Sequence, residues 1–306
     1  MFLRKAGRSN ISFLDIIKGY GNTIKEYINF FLLCRKKYEN YFAVLLQVWL
    51  KKYPIVAILR TGQKITFKHN YQLYNNLADL NCDVEYDIVY IKGLTFYGGQ
   101  TNGDIESIFV KNEYGYLPIK DKVVVDVGAS IGDSSIFFIS RGARKVIALE
   151  PNRESYELAK KNIEANCLSD KIEIVWTAGG AVDANNNNNN TVSYIPPFMT
   201  LETIIDKYQI EESAILKIDC EGCEYPLILS TPNNLLAKFS YLQIEYHYGY
   251  KNLKEKLEEC GFHVDVTGPA YCKLSHYNPT TTLFYHNGVK QNNNKAMFIG
   301  WIYAKK

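Results

Sequence analysis

The sequence predicts an α/β fold with a doubly wound, mostly parallel sheet of seven strands. The first indication is the apolar, β-branched run Val123–Val127, which has the composition of a strand buried on both faces. The second is a regular alternation of strand-like and helix-like segments from this run to the end of the chain. The last connection has no helical pattern, which indicates that the final strand enters the sheet antiparallel.

The remaining elements of this sheet are each indicated by an apolar pattern between breaking residues. Six further strands are predicted at Lys145–Leu149, Ile172–Trp176, Ala214–Ile218, Tyr241–Glu245, Phe262–Val266 and Met297–Tyr303. Helices are predicted around Ile136–Ile139 and over Ser155–Asn166, Leu201–Tyr208 and Asn252–Cys260. The stretch Tyr225–Phe239 has a mixed pattern that Pro232 breaks.

A glycine-containing loop follows the first strand and has the pattern of a ligand-binding turn. Gly128 and Gly132 allow the backbone to approach a ligand closely, and the run Asp133–Ser135 has residue types that cap a helix start. Glu150 stands at the end of the second strand, 22 residues after Gly128. That separation is near the ~20 residues at which a second-strand acid binds a ribose diol. The sequence therefore predicts a nucleoside site here.

The spacing of this loop selects among nucleoside ligands. A dinucleotide fold usually has three glycines as G-x-G-x-x-G, whereas this chain has D-x-G-x-x-x-G-D, with Asp126 before the first glycine and Asp133 after the second. Two carboxylates repel a pyrophosphate and suit an amino group and a sulfonium cation, so the predicted cofactor is S-adenosylmethionine. The missing third glycine disfavours a nicotinamide-dependent oxidoreductase. The alternative to a ligand-binding loop is a tight strand-to-helix turn that binds no ligand.

A second cluster of polar residues follows the fourth and fifth strands. Asp219 ends the fourth strand with Glu221 close behind it, and Glu245 and His247 end the fifth. Because ligands bind beyond the carboxyl ends of parallel strands, these four side chains are predicted to be catalytic and to face the methyl group. The alternative is structural: the acids cap a helix, and the histidine is a satisfied core residue.

Two chemistries are open for this cluster. His247, with an ordinary pKa near ~6.5, is a natural general base for a hydroxyl. Alternatively, Asp219 and Glu245 hold a divalent cation together with His247, and the cation lowers the pKa of the hydroxyl. The metal-free route is preferred, since carboxylates at the strand ends can also orient the imidazole. If the base lies elsewhere, His276 and His286 are the next candidates.

Residues 1–110 have no chemical signature and are predicted to form a helical and β-hairpin cap or substrate lid on the domain 111–306. Two helices are expected between Ile11 and Lys52, with a break near residues 35–40, followed by a hairpin around Thr61-Gly62-Gln63. A short strand is expected around Asp87–Lys92. This part of the chain contains no run long and apolar enough to cross a bilayer, which takes ~20 residues.

The charge of the chain is uneven. Residues 1–60 contain eleven Lys or Arg against three Asp or Glu, a net charge of +8, which leaves −5 for the rest of a chain whose net charge is +3. A basic front end is more often a solvated face than a binding surface, so no nucleic-acid partner is expected and peripheral membrane contact is the minority alternative. The expected partner is a small-molecule or glycan acceptor with a hydroxyl group.

The cysteines and an asparagine run complete the sequence features. Seven cysteines without regular spacing indicate reduced thiols and a cytoplasmic setting. Cys220 and Cys223 form a C-x-x-C, but the neighbouring acids oppose a reactive thiolate, so a redox pair is not expected. The run Asn185–Asn190 has no apolar residue to bury and is predicted to be a surface loop that folding does not need.

Several stretches of the chain resemble the FkbM-like methyltransferases in order and spacing. They are VVVDVGASIGDSS, VIALEPN, LKIDCEGCEYPLI, QIEYH and CGFHV, and the similarity as a whole covers about residues 105–267. The resemblance implies a class I, Rossmann-like fold and S-adenosylmethionine-dependent O-methylation of a hydroxyl on a sugar, glycan or related natural product. By position it implies a cofactor site made of Asp126, Gly128, Ala129, Ser130, Ile131, Gly132, Asp133, Ser134, Glu150, Pro151 and Asn152.

The same resemblance places the reaction site along Asp219–Glu224. The first hundred residues and the loop Tyr271–Asn294 have no clear counterpart in the family, so substrate choice is expected to reside there. A different class of function is a catalytically silent relative that uses the fold as a binding module. The charged motif positions that this chain keeps speak against it: Asp126, Glu150, Asp219, Glu221, Glu224 and His247.

Overall fold

A computed structural model of the protein describes residues 13–83, 85–180, 196–273 and 296–306. The predicted surface loop Asn185–Asn190 and the alternative bases His276 and His286 lie outside these residues. Among the residues that are described, no helix is both long enough and apolar enough to span a membrane.

The N-terminal part of the chain is a small helical and hairpin unit. Its elements are α1 (Phe13–Lys37), α2 (Tyr41–Trp49), β1 (Ile55–Ile58), β2 (Lys64–Phe67) and α3 (Asn70–Leu77). The predicted break between the helices and the predicted hairpin are confirmed, with β1 antiparallel to β2. Helix α3 was not predicted, because its sequence NYQLYNNL is largely polar. The unit has its own apolar core, which includes Tyr38, Val44 and Leu73.

A three-stranded antiparallel sheet and a short π-helix lead into the larger part of the chain. The strands are β3 (Asn81–Asp83), β4 (Ile88–Ile91) and β5 (Leu94–Tyr97), and the π-helix is Glu106–Val110. The predicted strand around residues 87–92 is β4, and β3 and β5 pair along its two edges.

The larger part of the chain alternates strands and helices as the sequence predicts. Its elements are β6 (Val123–Val127), α4 (Asp133–Ser140), β7 (Lys145–Glu150), α5 (Arg153–Ala165), β8 (Ile172–Trp176), β9 (Ala178–Gly179), β10 (Phe198–Met199), α6 (Leu201–Lys207), β11 (Ala214–Ile218), α7 (Glu224–Ser230), α8 (Asn233–Leu236), β12 (Phe239–Tyr246), α9 (Lys251–Glu259), β13 (His263–Val266), β14 (Ala270–Lys273) and β15 (Ala296–Lys305).

Seven of these strands form the main sheet, in the order β13-β15-β12-β11-β6-β7-β8. The pairs between β12 and β8 are all parallel, and β15 runs antiparallel to both of its neighbours, β12 and β13. The predicted doubly wound, mostly parallel, seven-stranded sheet is therefore confirmed, including its antiparallel last strand. The short strand β14, which was not predicted, pairs with the first half of β15.

Both faces of the main sheet are covered by helices, because alternate strand residues point to opposite sides. Val124 and Val146 face a core that α4 and α5 cover, and Val125 and Ile147 face a second core formed with α6, α7 and α9. The first of these cores also takes in β4, β5 and the π-helix. Residues 88–110 thus pack with the main sheet, and the division of the chain at residue 110 stays a prediction.

The order of the strands reverses between β6 and β11, which is where doubly wound sheets bind their ligands. The carboxyl ends of the two strands approach closely there. Gly128 follows β6 with φ 83°, and a Cβ atom at this position would lie 1.8 Å from the carbonyl oxygen of Asp219, which follows β11. Gly128 is therefore required both by its backbone conformation and by the space beside it.

We expect Gly128→Ala to destabilise the protein more than Gly62→Ala. Both glycines have positive φ, 83° and 86°, but among the described residues a Cβ at Gly62 would contact nothing within 4 Å. Gly62→Ala should lower the free energy of unfolding by about 1 kcal/mol for the backbone conformation alone. Gly128→Ala should lose the same amount and, in addition, about 1–3 kcal/mol, because the new Cβ atom must displace the backbone of Asp219. Urea unfolding checks this, and equal losses would contradict the close approach.

Candidate active site at the strand ends

The loop between β6 and α4 lies across the carboxyl end of the sheet. Gly132 has φ 82° and directly precedes α4, and in the first turn of that helix Oδ1 of Asp133 accepts the backbone N–H of Ser134 at 3.0 Å. Ser130, a residue other than glycine, has φ 47°. Left-handed residues of this kind persist where the surroundings hold them, and they concentrate at functional loops. Ala129 and Ile131 are buried and anchor the loop between them.

Asp126 lies beneath this loop in a buried ion pair with Lys217. Nζ of Lys217 is 3.0 Å from Oδ1 of Asp126, and it also donates to the carbonyl oxygen of Gly128 at 2.7 Å. Burial opposes the charge of Lys217, yet Asp126 and Asp219 raise its pKa to about 12. The hydroxyls of Ser134 and Ser135 each donate to Oδ2 of Asp126 at 2.6 Å.

This ion pair corrects two expectations from the sequence. Asp126 is not a free charge that selects a sulfonium ligand, because Lys217 neutralises it and both side chains are almost completely inaccessible to solvent. Ser134 and Ser135 do not cap α4, because their hydroxyls hold Asp126 instead. The interaction therefore fixes the loop from below.

Glu150 is nearly buried at the end of β7, with 7% of its surface exposed. Its Oε2 accepts the backbone N–H of Ser130 at 2.8 Å, and its Oε1 accepts that of Asn152 at 2.7 Å. Burial is the main cause that raises the pKa of Glu150 to about 7. Among the described residues its carboxylate forms no ion pair, and each oxygen keeps a lone pair for a further donor. A ribose diol provides two such donors, so the group fits the ribose of a nucleoside ligand.

The other residues predicted for the cofactor surround Glu150 and the loop. Asp133 is buried, its Oδ2 accepts the backbone N–H of Asp104 at 2.8 Å, and burial followed by the charge of Asp104 raises its pKa to about 7. Asn152 caps α5 by accepting the N–H of Ser155 at 2.9 Å. Pro151 accepts the indole N–H of Trp176 at 2.8 Å through its carbonyl oxygen.

The predicted catalytic residues meet at the ends of β11 and β12. Nε2 of His247 lies 3.2 Å from Oε2 of Glu245 and 3.3 Å from Oε2 of Glu221. One ligand atom each of Asp219, Glu245 and His247 lie within 4.8 Å of one another. Glu221 has φ 55°, so the turn after β11, like the loop after β6, contains a left-handed residue other than glycine.

His247 is fully buried and is held from behind by Glu224. Oε1 of Glu224 lies 3.0 Å from Nδ1 of His247 and also accepts the backbone N–H of His247 at 3.1 Å. Burial opposes a charge on the imidazole, but Glu224 and then Glu221 raise the pKa of His247 well above its ordinary value. A raised pKa makes the imidazole less ready to accept a proton from a hydroxyl, which counts against His247 as the general base, and the choice between the two routes stays a prediction.

Acidic side chains accumulate around this cluster. The pKa of Glu245 is raised well above its ordinary value, that of Asp104 is raised to about 6, and that of Glu113 to about 7. In all three the largest cause is desolvation, followed by the charge of Asp219. Lys217 lowers the pKa of Asp104 and of Glu113, and its Nζ lies 5.6 Å from the ring centroid of Tyr114. The crevice is therefore strongly acidic.

The turn between β11 and α7 contains a disulfide, which corrects the expectation of reduced thiols. Cys220 and Cys223 are bonded, with their Cα atoms 5.5 Å apart, because the tight turn brings both side chains to the same side. Both residues are buried in the core. Cys34, Cys82, Cys167 and Cys260 are free thiols.

Three site residues were missed from the sequence. Lys217 could have been predicted from the sequence, since it is the one charged residue in the strand AILKI. A charge inside a buried strand requires a partner. No sequence pattern indicates Asp104 or Glu113, because they lie in loops about a hundred residues before the strands that they face.

Residues 126–264 match the family model described as Methyltransferase FkbM domain. The match spans β6 to β13 and includes the glycine loop, Glu150 and the cluster around His247. The resemblance to the FkbM-like methyltransferases that the sequence predicted is therefore confirmed over this stretch.

One relative and two solved structures illustrate what else the chain is similar to. "Uncharacterized protein 158B" of Sulfolobus islandicus rod-shaped virus 1 is 25% identical over 135 residues, which is 44% of this chain and 66%, just under two thirds, of that protein. Precorrin-6y C5,15-methyltransferase from Geobacter metallireducens GS-15 is 14% identical, with 64% of this chain and 86% of that chain covered and a TM-score of 0.37. M. capricolum TrmK in complex with S-adenosylhomocysteine is 11% identical. The comparison covers 65% of this chain and 67% of that chain, with a TM-score of 0.40.

Lys217→Met should lower the free energy of unfolding by about 3–5 kcal/mol, because it leaves Asp126 buried without a counter-ion. The matched control is Lys145→Met, which removes a half-exposed pair with Glu173 and should cost about 0–1 kcal/mol. The double variant Asp126→Asn, Lys217→Met should recover part of the loss. Urea unfolding measures all three, and a Lys217→Met loss as small as that of the control would contradict the structural role of the pair.

Glu150 makes the affinity for an adenosine ligand depend on pH. The ribose hydroxyls donate to the ionised carboxylate, so binding lowers the pKa of Glu150 from about 7, and affinity should rise with pH and level off above 7. Calorimetry with 5′-methylthioadenosine, which lacks the amino-acid group, measures this. Glu150→Gln should remove the pH dependence and weaken binding by about 1–3 kcal/mol at high pH. A pH-independent affinity in the unaltered chain would remove Glu150 from the site.

Proposed function

We propose that the protein is an S-adenosylmethionine-dependent O-methyltransferase that acts on a hydroxyl group of a sugar, glycan or related natural product. The observation that carries this proposal is the position of two half-sites on one edge of the sheet. Glu150 and the glycine loop form the nucleoside half, and Asp219, Glu245 and His247 form the reactive half across the reversal of strand order. The FkbM match supports the reaction class.

The two halves divide the chemistry between them. Bound S-adenosylmethionine supplies a methyl group on a positively charged sulfur. Glu150 holds the ribose, and the acids at the ends of β11 and β12 position the hydroxyl of the acceptor. The new bond joins the hydroxyl oxygen to the methyl carbon, the sulfur–methyl bond breaks with its electron pair on sulfur, and a carboxylate of the acidic cluster takes the hydroxyl proton.

The acidic rim favours a neutral, hydroxyl-rich acceptor over a nucleic acid. Asp104, Glu113, Asp219, Glu221 and Glu245 surround the reactive half, and these carboxylates repel a phosphate backbone. The same carboxylates accept hydrogen bonds from the hydroxyls of a sugar. This charge distribution supports the expectation of a glycan or small-molecule partner.

Incubation of the full chain with methyl-labelled S-adenosylmethionine and a panel of glycans, small sugars and RNA tests the proposal. Label should pass to a sugar or glycan and not to RNA, and mass spectrometry should locate a methyl ether. Asp219→Asn should lower turnover ~10²–10⁴-fold while cofactor affinity is retained, because it removes a carboxylate from the reactive half and leaves Glu150 in place. Glu211→Gln, which removes only an exposed pair with Arg144, is the control and should leave turnover unchanged.

The failures of this experiment separate the alternatives. Cofactor binding without transfer to any acceptor would indicate a catalytically silent binding module. Transfer to RNA would overturn the assignment of the acceptor. Binding of a nicotinamide dinucleotide in place of S-adenosylmethionine would overturn the reaction class.

A further inference from the structure

The strongest unexplained feature of the site is a buried nitrogen. His247 is inaccessible to solvent, and its Nε2 has no aligned hydrogen-bond partner in the described part of the chain. Two carboxylate oxygens lie near it, at 3.2 Å in Glu245 and 3.3 Å in Glu221, and Oε2 of Glu221 also lacks a hydrogen bond within that part. Buried polar atoms without partners are rare, and an ion is one of the groups that can satisfy them.

The other ring nitrogen of His247 is already oriented. Nδ1 lies 3.0 Å from Oε1 of Glu224, a residue that is itself fully buried. Oε2 of Glu224 accepts the backbone N–H of Gly222 at 2.8 Å, and Oε1 accepts that of His247 at 3.1 Å. With Nδ1–H donating to Glu224, the lone pair of Nε2 points away from the carboxylate that holds the ring. A histidine that binds a metal typically has this second carboxylate behind it.

The spacing of the remaining groups suits a cation. Nε2 of His247 and one oxygen each of Asp219 and Glu245 lie within 4.8 Å of one another. Around an octahedral ion with ligand distances of about 2.1 Å, adjacent ligand atoms lie about 3 Å apart and opposite ones about 4 Å apart. The three groups therefore need only small shifts to share one ion.

The charge of the cluster points the same way. Asp219, Glu221, Glu224 and Glu245 all surround His247, so even a protonated imidazole leaves an excess of negative charge. Lys217 already forms an ion pair with Asp126, at 3.0 Å. A divalent cation would balance this excess, as carboxylates together with one imidazole do for Mn²⁺ and related ions.

We propose that Asp219, Glu245 and His247 bind one divalent cation of the Mn²⁺ or Mg²⁺ class, with Glu224 as the residue that positions His247. The inference rests on the proposed function in one respect: the cation would bind the hydroxyl oxygen of the acceptor and lower its pKa. Glu221, whose side chain is 26% exposed at the rim, would accept the proton of that hydroxyl. His247 holds the ion in this arrangement and is not the general base.

Titration of the full chain with Mn²⁺, followed by electron paramagnetic resonance of the free ion, tests the site directly. One ion per chain should bind, and Asp219→Asn and Glu245→Gln should each weaken binding at least ~10-fold. Glu224→Gln should weaken it ~10–100-fold through the orientation of His247 alone. The matched control is Glu173→Gln, a half-exposed acid at the start of β8, which should leave Mn²⁺ affinity unchanged.

S-adenosylmethionine binding, measured on the same samples, separates the two proposals. Absence of saturable Mn²⁺ binding at millimolar concentration, in an unaltered chain that still binds the cofactor, would overturn the cation site and leave the proposed function standing. Equal Mn²⁺ affinity in the unaltered and altered chains would also overturn it. Saturable Mn²⁺ binding without cofactor binding would support the site and overturn the proposed function. If a variant unfolds, titration of the unaltered chain still decides.

Discussion

The buried ion pair between Lys217 and Asp126 is the interaction on which the site depends. It joins neighbouring strands at the point where strand order reverses, so it connects the two halves of the doubly wound sheet. From the same position Nζ of Lys217 holds the carbonyl oxygen of Gly128, and Asp126 holds the first turn of α4 through two serine hydroxyls. One ammonium group thereby fixes the loop that would meet the cofactor. A buried pair is costly to desolvate, which explains why the chain surrounds it with hydrogen bonds.

Beyond this pair, the dominant constraint is the accumulation of negative charge at the ends of β11 and β12. Carboxylates that lie close together raise one another's pKa values, and a shared proton or a bound cation relieves that repulsion. The raised pKa values of Asp104, Glu113 and Glu245 express this constraint in the protein alone. Such repulsion does not contribute to the stability of the fold, and clusters of groups with shifted pKa values are typical of functional sites.

The sequence predicted the sheet well because buried parallel strands have a strong local signature. The strands Ile172–Trp176 and Ala214–Ile218 have the predicted bounds, since their apolar runs are complete and breaking residues flank them. Glu150 and His247 lie at strand ends for the same reason. The contacts that were not predicted depend on proximity in three dimensions. They are the hydrogen bond between Ser134 and Asp126, the contact of Asp104 with Asp133, and the disulfide between Cys220 and Cys223. A local pattern contains no information about which distant group a side chain meets.

The central claim is that the cofactor lies across the reversal of strand order, with its ribose on Glu150 and its sulfur toward the acidic cluster. A crystal structure of the full chain with S-adenosylhomocysteine tests this most directly. Both ribose hydroxyls should lie within hydrogen-bond distance of the Glu150 carboxylate, and the sulfur should face Asp219 and Glu245. Density for the ligand at any other surface, or a ribose that does not contact Glu150, would contradict the account.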